Sequence, residues 1–405
     1  MTSFKRSKQG GVALLAVMIL VLAVTMILAN IFYRHQIEIS QATVALHTDQ
    51  ALLIALSGEG WAQELLIEDY KQSQGQPTDH YGEIWAQAMP LFPVEGGTLT
   101  GCISDLQSRI NLNSFLMYSG GNRLQEELNQ PEKMGPAKTW LNLLDILQIP
   151  NNPGRVATIV DWIDKDKNIL SSWGAEQPDY ESFEPPRMVA NQPMTDVTEL
   201  ASVAGYTVQE VQALLPWIST LSSDAALGTG VPSGSPQNVA SQNGAINVNT
   251  ASEELLFALG GIYSQQFVDT VAQGRPYNNI NALYDDLNND LGLWDLTGSP
   301  GGSKGKAIQI WPTNLITVWS DHFRVYLKAE IGEAEIEVTS IMQRSMGKLN
   351  VVARDITLVP SVLPGESELS GVEKLAASRF NEDEDNRESN MNNSIVQPAC
   401  LMMGM

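Results

Sequence analysis

Oxygen-bearing side chains crowd one stretch of the chain: Asp161, Asp164, Asp166, Asn168, Glu176 and Asp179 all fall between residues 161 and 179. Asp164, Asp166 and Asn168 alternate, as ligands do at the opening of a calcium loop. The match to an EF-hand is incomplete. The sixth position is Ile169 rather than glycine, the twelfth is Ala175, and Glu176 comes one residue late. Carboxylates packed into one loop repel one another unless a cation lies among them. That cation could be a bound metal ion, or the ammonium groups of Lys165 and Lys167 in a solvated acidic turn. The residues alone leave both open. Other chemistry is poorly supplied. Two cysteines, four scattered histidines and no CxxC argue against zinc, and no Gly-x-Ser-x-Gly is present, so no catalytic residue is assigned.

The formal net charge is −22 with no segregated basic patch, which disfavours nucleic acid and anionic lipid as partners. One stretch is built for a membrane instead. Lys5, Arg6 and Lys8 precede Gly10-Gly11, and from Val12 to Phe32 the chain carries no charge. A helix of that length just crosses a hydrocarbon core of about 30 Å. The cations precede the span and only Arg34 follows closely, which keeps the N-terminus cytoplasmic and exports the remainder.

Ala42, Leu46, Leu53, Leu56 and Gly60 continue a helical spacing, and no proline intervenes before Pro77. This predicts one long helix to about Tyr70, a break near Arg34 being the alternative. Gly96 to Asp105 reads as a strand. Phe323 to Ile331, the turn at Gly332-Glu333 and Ile336 to Thr339 read as a hairpin with one apolar face. The fold class expected is α+β, a long transmembrane and stem helix packed on a small antiparallel sheet, with a large two-unit helical insert. The expected boundaries are a leader at 1–11, a span at 12–32, the first part of the head at 33–120 and insert units at 121–221 and 245–305. A linker at 222–244, the second part of the head at 306–363 and an acidic, disordered tail at 364–405 complete the division. The duplication rests on Glu199-Leu200 before Gly205 and Glu254-Leu255 before Gly260, each followed by apolar residues at helical spacing.

A basic leader, a glycine and an uncleaved apolar helix resemble a type IV prepilin or pseudopilin, with a plain signal anchor as the alternative. Further motifs narrow this. Gly11 to Leu15, Glu95-Gly96-Gly97, Ser104-Asp105, Arg109-Ile110-Asn111-Leu112-Asn113, Val160 to Asp166 with Gly174-Ala175-Glu176, Thr198-Glu199-Leu200 and Ile246 to Ala251 occur in that order. In this order they resemble the K-type minor pseudopilins of the type II secretion system, from residue 1 to about 345. The resemblance implies cleavage between Gly11 and Val12 by a prepilin peptidase, and a place at the tip of a pseudopilus that exports folded proteins across the outer membrane. It also implies I- and J-type minor pseudopilins and the inner-membrane secretion platform as partners, and a structural Ca2+ in the helical insert at Asp161, Asp164, Asp166, Asn168, Glu176 and Asp179.

Pseudopilins resemble one another in a glutamate at the fifth mature position. Here that position is Ala16, as the K-type family looks, and a subunit with no neighbour above it gains nothing from a buried carboxylate. On the oxidising side of the membrane Cys102 and Cys400 could pair, or remain two thiols. The rival reading is a membrane-anchored DNA receptor, because Ile246 to Leu255 also resembles the start of a helix-hairpin-helix module. Gly260-Gly261-Ile262-Tyr263 lacks the second glycine of that hairpin. N-terminal sequencing of the membrane-extracted protein is expected to begin Val-Ala-Leu-Leu, and a chain still starting at Met1 would contradict the prepilin reading.

Overall fold

The computed structural model describes residues 10–73, 77–87, 89–221, 244–295, 304–345 and 348–359, together with Cys400. Residues 1–9 of the expected leader, nearly all of the expected linker and the tail apart from Cys400 lie outside the described residues.

A single helix, α1, runs from Gly10 to Gln72 with no break at Arg34. Its apolar first half, with a mean hydropathy of 2.8 in the most apolar window, is not buried by any other described residue and is long enough to cross a membrane. Its second half lies on a sheet. Ala51, Ala55 and Ala62 are wholly buried with Leu66, and these small side chains let the helix approach closely. Gly58 sits on the same face, where a Cβ would come within 3.0 Å of the Leu99 side chain.

The sheet has five antiparallel strands in chain order: β1 (Phe92–Val94), β2 (Gly97–Asp105), β3 (His322–Ile331), β4 (Ala334–Ser345) and β5 (Lys348–Val359). Strict alternation along β4 turns Ile336, Val338 and Met342 towards the helix. Gly332 supplies the left-handed residue of the β3–β4 turn, with φ of +58°. Edge strand β5 is an addition to the expected sheet. Its residues from Val352 to Leu358 are all exposed, so it lacks the two-faced pattern that betrays a half-buried strand. Arg354 fastens it to the helix by gripping Glu59, Nη2 to Oε1 at 2.5 Å and Nε to Oε2 at 2.8 Å.

Residues 106–321 leave the sheet and return to it at one point. Asp105 closes β2 directly opposite Phe323 near the start of β3, so the insert replaces the turn of a hairpin. Its apolar core is continuous from Ile110 to Val318 and includes Leu112, Trp140, Val156, Leu255, Phe267 and Trp311. The two expected units therefore share one core. The head boundaries expected at 120 and 306 lie deeper in the chain than the core allows, since residues 110–118 and 307–318 pack with the insert.

The internal duplication is carried by a different pair of motifs from the one expected. Ile110-Asn111 pairs in parallel with Ile218-Ser219, and Ile246-Asn247 pairs in parallel with Ile316-Thr317. In the first, Asn113 accepts from Met194 N and donates to the Met194 and Leu221 carbonyls. In the second, Asn249 accepts from Tyr277 N and donates to the Tyr277 and Val318 carbonyls. Each Ile-Asn-x-Asn stitches the entry of its unit to an inner segment and to the exit.

Insert and head meet through Asp105. One of its oxygens accepts from Thr250 Oγ1 at 2.5 Å, Ser320 Oγ at 2.6 Å and Asn247 Nδ2 at 3.2 Å, and the other from Gln107 N at 2.7 Å. Burial raises this carboxyl to about 6, against the pull of those donors. Removing such an acceptor strands several buried donors at about 1–3 kcal/mol for each one left unpaired. Asp105→Ala is accordingly expected to destabilise the protein by about 3 kcal/mol or more, read by denaturant unfolding. A loss under about 1 kcal/mol would mean that the joint is held elsewhere.

Candidate metal centre

The acidic stretch begins on the helix Gly154–Ile163, every residue of which is buried. Asp161 lies on its last turn, and Asp164 caps the end with its N–H on the Val160 carbonyl. From there the chain loops out and back to the short helix Gln177–Glu181. Asp161 is the organiser of this loop. Its Oδ1 accepts from Leu170 N and its Oδ2 from Ala175 N, each at 2.8 Å. Gly174 makes this possible, because a Cβ there would stand 2.0 Å from Asp161 Oδ2. Burial nevertheless pushes the Asp161 carboxyl up to about 7.

Asp179 also has structural work. Its Oδ2 accepts from Glu176 N at 3.0 Å in a capping box that starts the Gln177–Glu181 helix. Asn168 is exposed and donates its backbone N–H to Asp166 Oδ1 at 2.7 Å.

The remaining three residues converge. Asp164, Asp166 and Glu176 each present an oxygen within 4.8 Å of the other two. Two ligands on one calcium ion, each at about 2.4 Å, are separated by no more than that. Asp164 and Glu176 are buried, and among the described residues Asp164 Oδ1 and Glu176 Oε1 have no hydrogen-bond partner. Burial raises the carboxyls of both, and neighbouring carboxylates push each the same way. Lys165 and Lys167 are exposed, and among the described residues neither forms an ion pair. The internal neutralisation offered by the sequence is therefore not made. Two unpartnered buried carboxylate oxygens, aimed with a third carboxylate at one point, fit a hard divalent cation.

The other residues singled out in the sequence lie far from this loop. Gly11, Val12 and Ala16 are in the first turns of α1. Cys102 and Cys400 are joined by a disulfide with their Cα atoms 5.4 Å apart, packed beside Tyr326 on the face of the sheet away from α1. The glycines of the helix-hairpin-helix-like segment are used within the insert. Gly260 lies against Phe267, and the left-handed residue is Gly261 (φ +57°), pressed on the Met134 side chain.

Known proteins place this architecture. A family model described as type II secretion system, protein K, matches residues 108–223. The chain is 28% identical over 356 residues to the type II secretion system protein K of Aeromonas hydrophila, covering 86% of this chain and 96% of that one. It is 28% identical over 358 residues to its counterpart in Pseudomonas aeruginosa, covering 87% and 94%. Over a shorter span of 222 residues it is 32% identical to protein K of Klebsiella pneumoniae. Among solved structures, the fold is similar to a chain of the GspK-GspI-GspJ complex from enterotoxigenic Escherichia coli. The TM-score is 0.56 at 20% identity, over 76% of this chain and 96% of that one.

Proposed function

Because the chain belongs to the type II secretion system protein K family, and is thus a minor pseudopilin, we propose that it stands at the tip of the periplasmic pseudopilus, where it helps start the filament. The observation that carries this is the insert itself. A body spanning residues 106–321 hangs from one hairpin of a small head, and such a bulge could hardly repeat along a thin filament. Ala16, in place of an inward-facing carboxylate, suits a subunit with no neighbour above it. The family role is that of a structural secretion component, and the single apolar helix fits a membrane-anchored protein. We assign that anchor to the inner membrane, with its leader cut between Gly11 and Val12 on the cytoplasmic side and the head and insert in the periplasm. The prepilin peptidase and the inner-membrane platform are then partners during assembly.

The surface offered to other pseudopilins is the side of α1 turned away from the sheet. Leu46 is 57% exposed and Leu53 65%, although each lies well past the apolar span. The solved complex of similar fold joins its K-type chain to I- and J-type subunits, which supports the same partners here. Leu46→Lys with Leu53→Lys is expected to abolish co-purification with the I- and J-type subunits while leaving the unfolding midpoint unchanged. Undiminished co-purification would move the interface away from the stem.

We further propose that Asp164, Asp166 and Glu176 hold a structural calcium ion, with Asp161 and Asp179 fixing the loop around it. The ion would supply charge balance and would tie a polar loop to the helix Gly154–Ile163. The full-length protein is expected to melt several degrees higher in calcium than in chelator, a shift that corresponds to about 1–3 kcal/mol. Asp164→Ala with Asp166→Ala should remove the part of that response due to this loop. A double variant that keeps the whole response would place the ion elsewhere.

A further inference from the structure

A second set of carboxylates meets at the foot of the stem helix, and no sequence motif announces it. Asp69 lies on the last turn of α1, and Asp79 and Glu83 lie in the connection to β1. Each is positioned by a different part of the fold. Asp79 is held by its backbone, which donates to the Val318 carbonyl at 3.2 Å and accepts from Asn247 Nδ2 at 3.0 Å. Glu83 Oε2 accepts from Trp85 Nε1 at 2.6 Å and from His80 N at 3.1 Å. The three side chains nevertheless converge, with one oxygen of each within 4.8 Å of the other two.

The protein supplies too little positive charge there. Among the described residues Arg344 is the one guanidinium in the cluster, with Nη2 2.5 Å from Asp79 Oδ2. Its Nη1 pairs with Asp69 Oδ2 at 3.6 Å, beyond hydrogen-bonding distance, and among the described residues it has no hydrogen-bond partner. His80 Nε2 is 3.7 Å from Glu83 Oε1. With all three carboxyls ionised, one arginine would leave two negative charges uncompensated, and burial, joined at Asp69 and Glu83 by neighbouring carboxylates, pushes each carboxyl above its ordinary range. Asp79 shows the shortfall atom by atom. The residue is 0% exposed, its Oδ2 is taken by Arg344 and by Ser320 N at 2.7 Å, and its Oδ1 has no hydrogen-bond partner among the described residues. A wholly buried carboxylate oxygen without a donor is a costly arrangement, and it is relieved by a cation.

We propose that Asp69, Asp79 and Glu83 form a second divalent-cation site, filled by calcium, that locks the end of the stem helix to the point where the insert rejoins the head. An all-oxygen set selects a hard ion. Oxygens lying within 4.8 Å of one another can all reach one calcium ion at about 2.4 Å, and calcium accepts an irregular oxygen set where magnesium demands a near-ideal octahedron. Its charge would cancel the two excess negatives. The site differs from the loop site in its neighbours, since Trp85 donates directly to one of its ligands. The ion would add a second polar tie among three elements that Arg344 already bridges: α1, the connection before β1, and β4.

The test uses the full-length chain in detergent, stripped with chelator, at physiological ionic strength. Calcium binding is measured by titration calorimetry, and terbium bound in its place is followed by luminescence sensitised through tryptophan. In the Asp164→Ala, Asp166→Ala background one calcium per chain should remain, and adding Asp69→Asn with Glu83→Gln should weaken it at least tenfold. Trp85→Phe in that background should diminish the sensitised terbium signal without changing calcium stoichiometry. The amide variants relieve repulsion, so their melting point in chelator should equal or exceed that of the parent, which shows them folded. If the wild-type stoichiometry is unchanged by Asp69→Asn with Glu83→Gln, the proposal fails. Failure of the loop site alone would leave the Glu83-dependent ion in place, so the two assignments are separable. A chain that binds no calcium outside the loop would mean that protons balance the cluster, and that also overturns it.

Discussion

The architecture depends on one buried carboxylate. A body as large as residues 106–321, attached to a sheet through two adjacent strand ends, would swing unless the attachment were rigid. Asp105 gives it that rigidity by accepting from Gln107 on the outgoing chain, Asn247 and Thr250 inside the insert, and Ser320 on the returning chain. Gln107 extends the joint, taking Asp321 N on its side-chain oxygen and donating to the Ala245 carbonyl. Hydrogen bonds to a charged acceptor are stronger than neutral ones and fix direction, which apolar contact does not. The insert can thus be carried at a set angle to the stem.

The second determinant is the division of labour along α1. Its first half is uniformly apolar, and among its described side chains it makes no packing contact, as lipid-facing helices do. In the second half the faces separate: alanines and Gly58 face the sheet, while Leu46 and Leu53 face outward. Burying alanines against a sheet yields less hydrophobic free energy than burying leucines, at about 25 cal/mol for each Å². The polar clasp of Glu59 with Arg354 and Ser340 compensates in part. Larger apolar side chains are left on the outside, where neighbouring subunits could cover them.

Much of this was legible in the sequence, for reasons that can be named. The stem helix was visible because no charge or proline interrupts it, and β3 and β4 because their buried face repeats every second residue. Strand β5 was hidden because an edge exposed on both sides has no such period. The extent of the insert was misjudged because residues 110–118 and 307–318 are apolar and fit either body; only their contacts assign them. The acidic loop could be found by composition, but the parts played by its members could not. Asp161 and Asp164 look equivalent as letters, yet one turns both oxygens to backbone N–H groups and the other leaves Oδ1 bare. The cluster of Asp69, Asp79 and Glu83 had no signature, since the fold and not the spacing brings it together.

The buried carboxylates of this protein fall into two kinds, and burial alone does not separate them. Asp105 is as inaccessible as Asp79, 1% against 0% exposed, but every oxygen of Asp105 meets at least one donor. Asp161 is likewise satisfied by the Leu170 and Ala175 N–H groups. Neither needs an ion, since donors already offset the loss of water. Asp79, Asp164 and Glu176 each keep one oxygen with no donor at all, and each belongs to a group of three that converges on one point. Desolvation without donors can be relieved only by a proton or by a cation. A proton satisfies one oxygen of one residue, whereas a divalent ion satisfies all three members of a group at once. The two converging groups stand at a polar loop and at the end of the stem, where an ion would add a constraint to those the apolar core supplies.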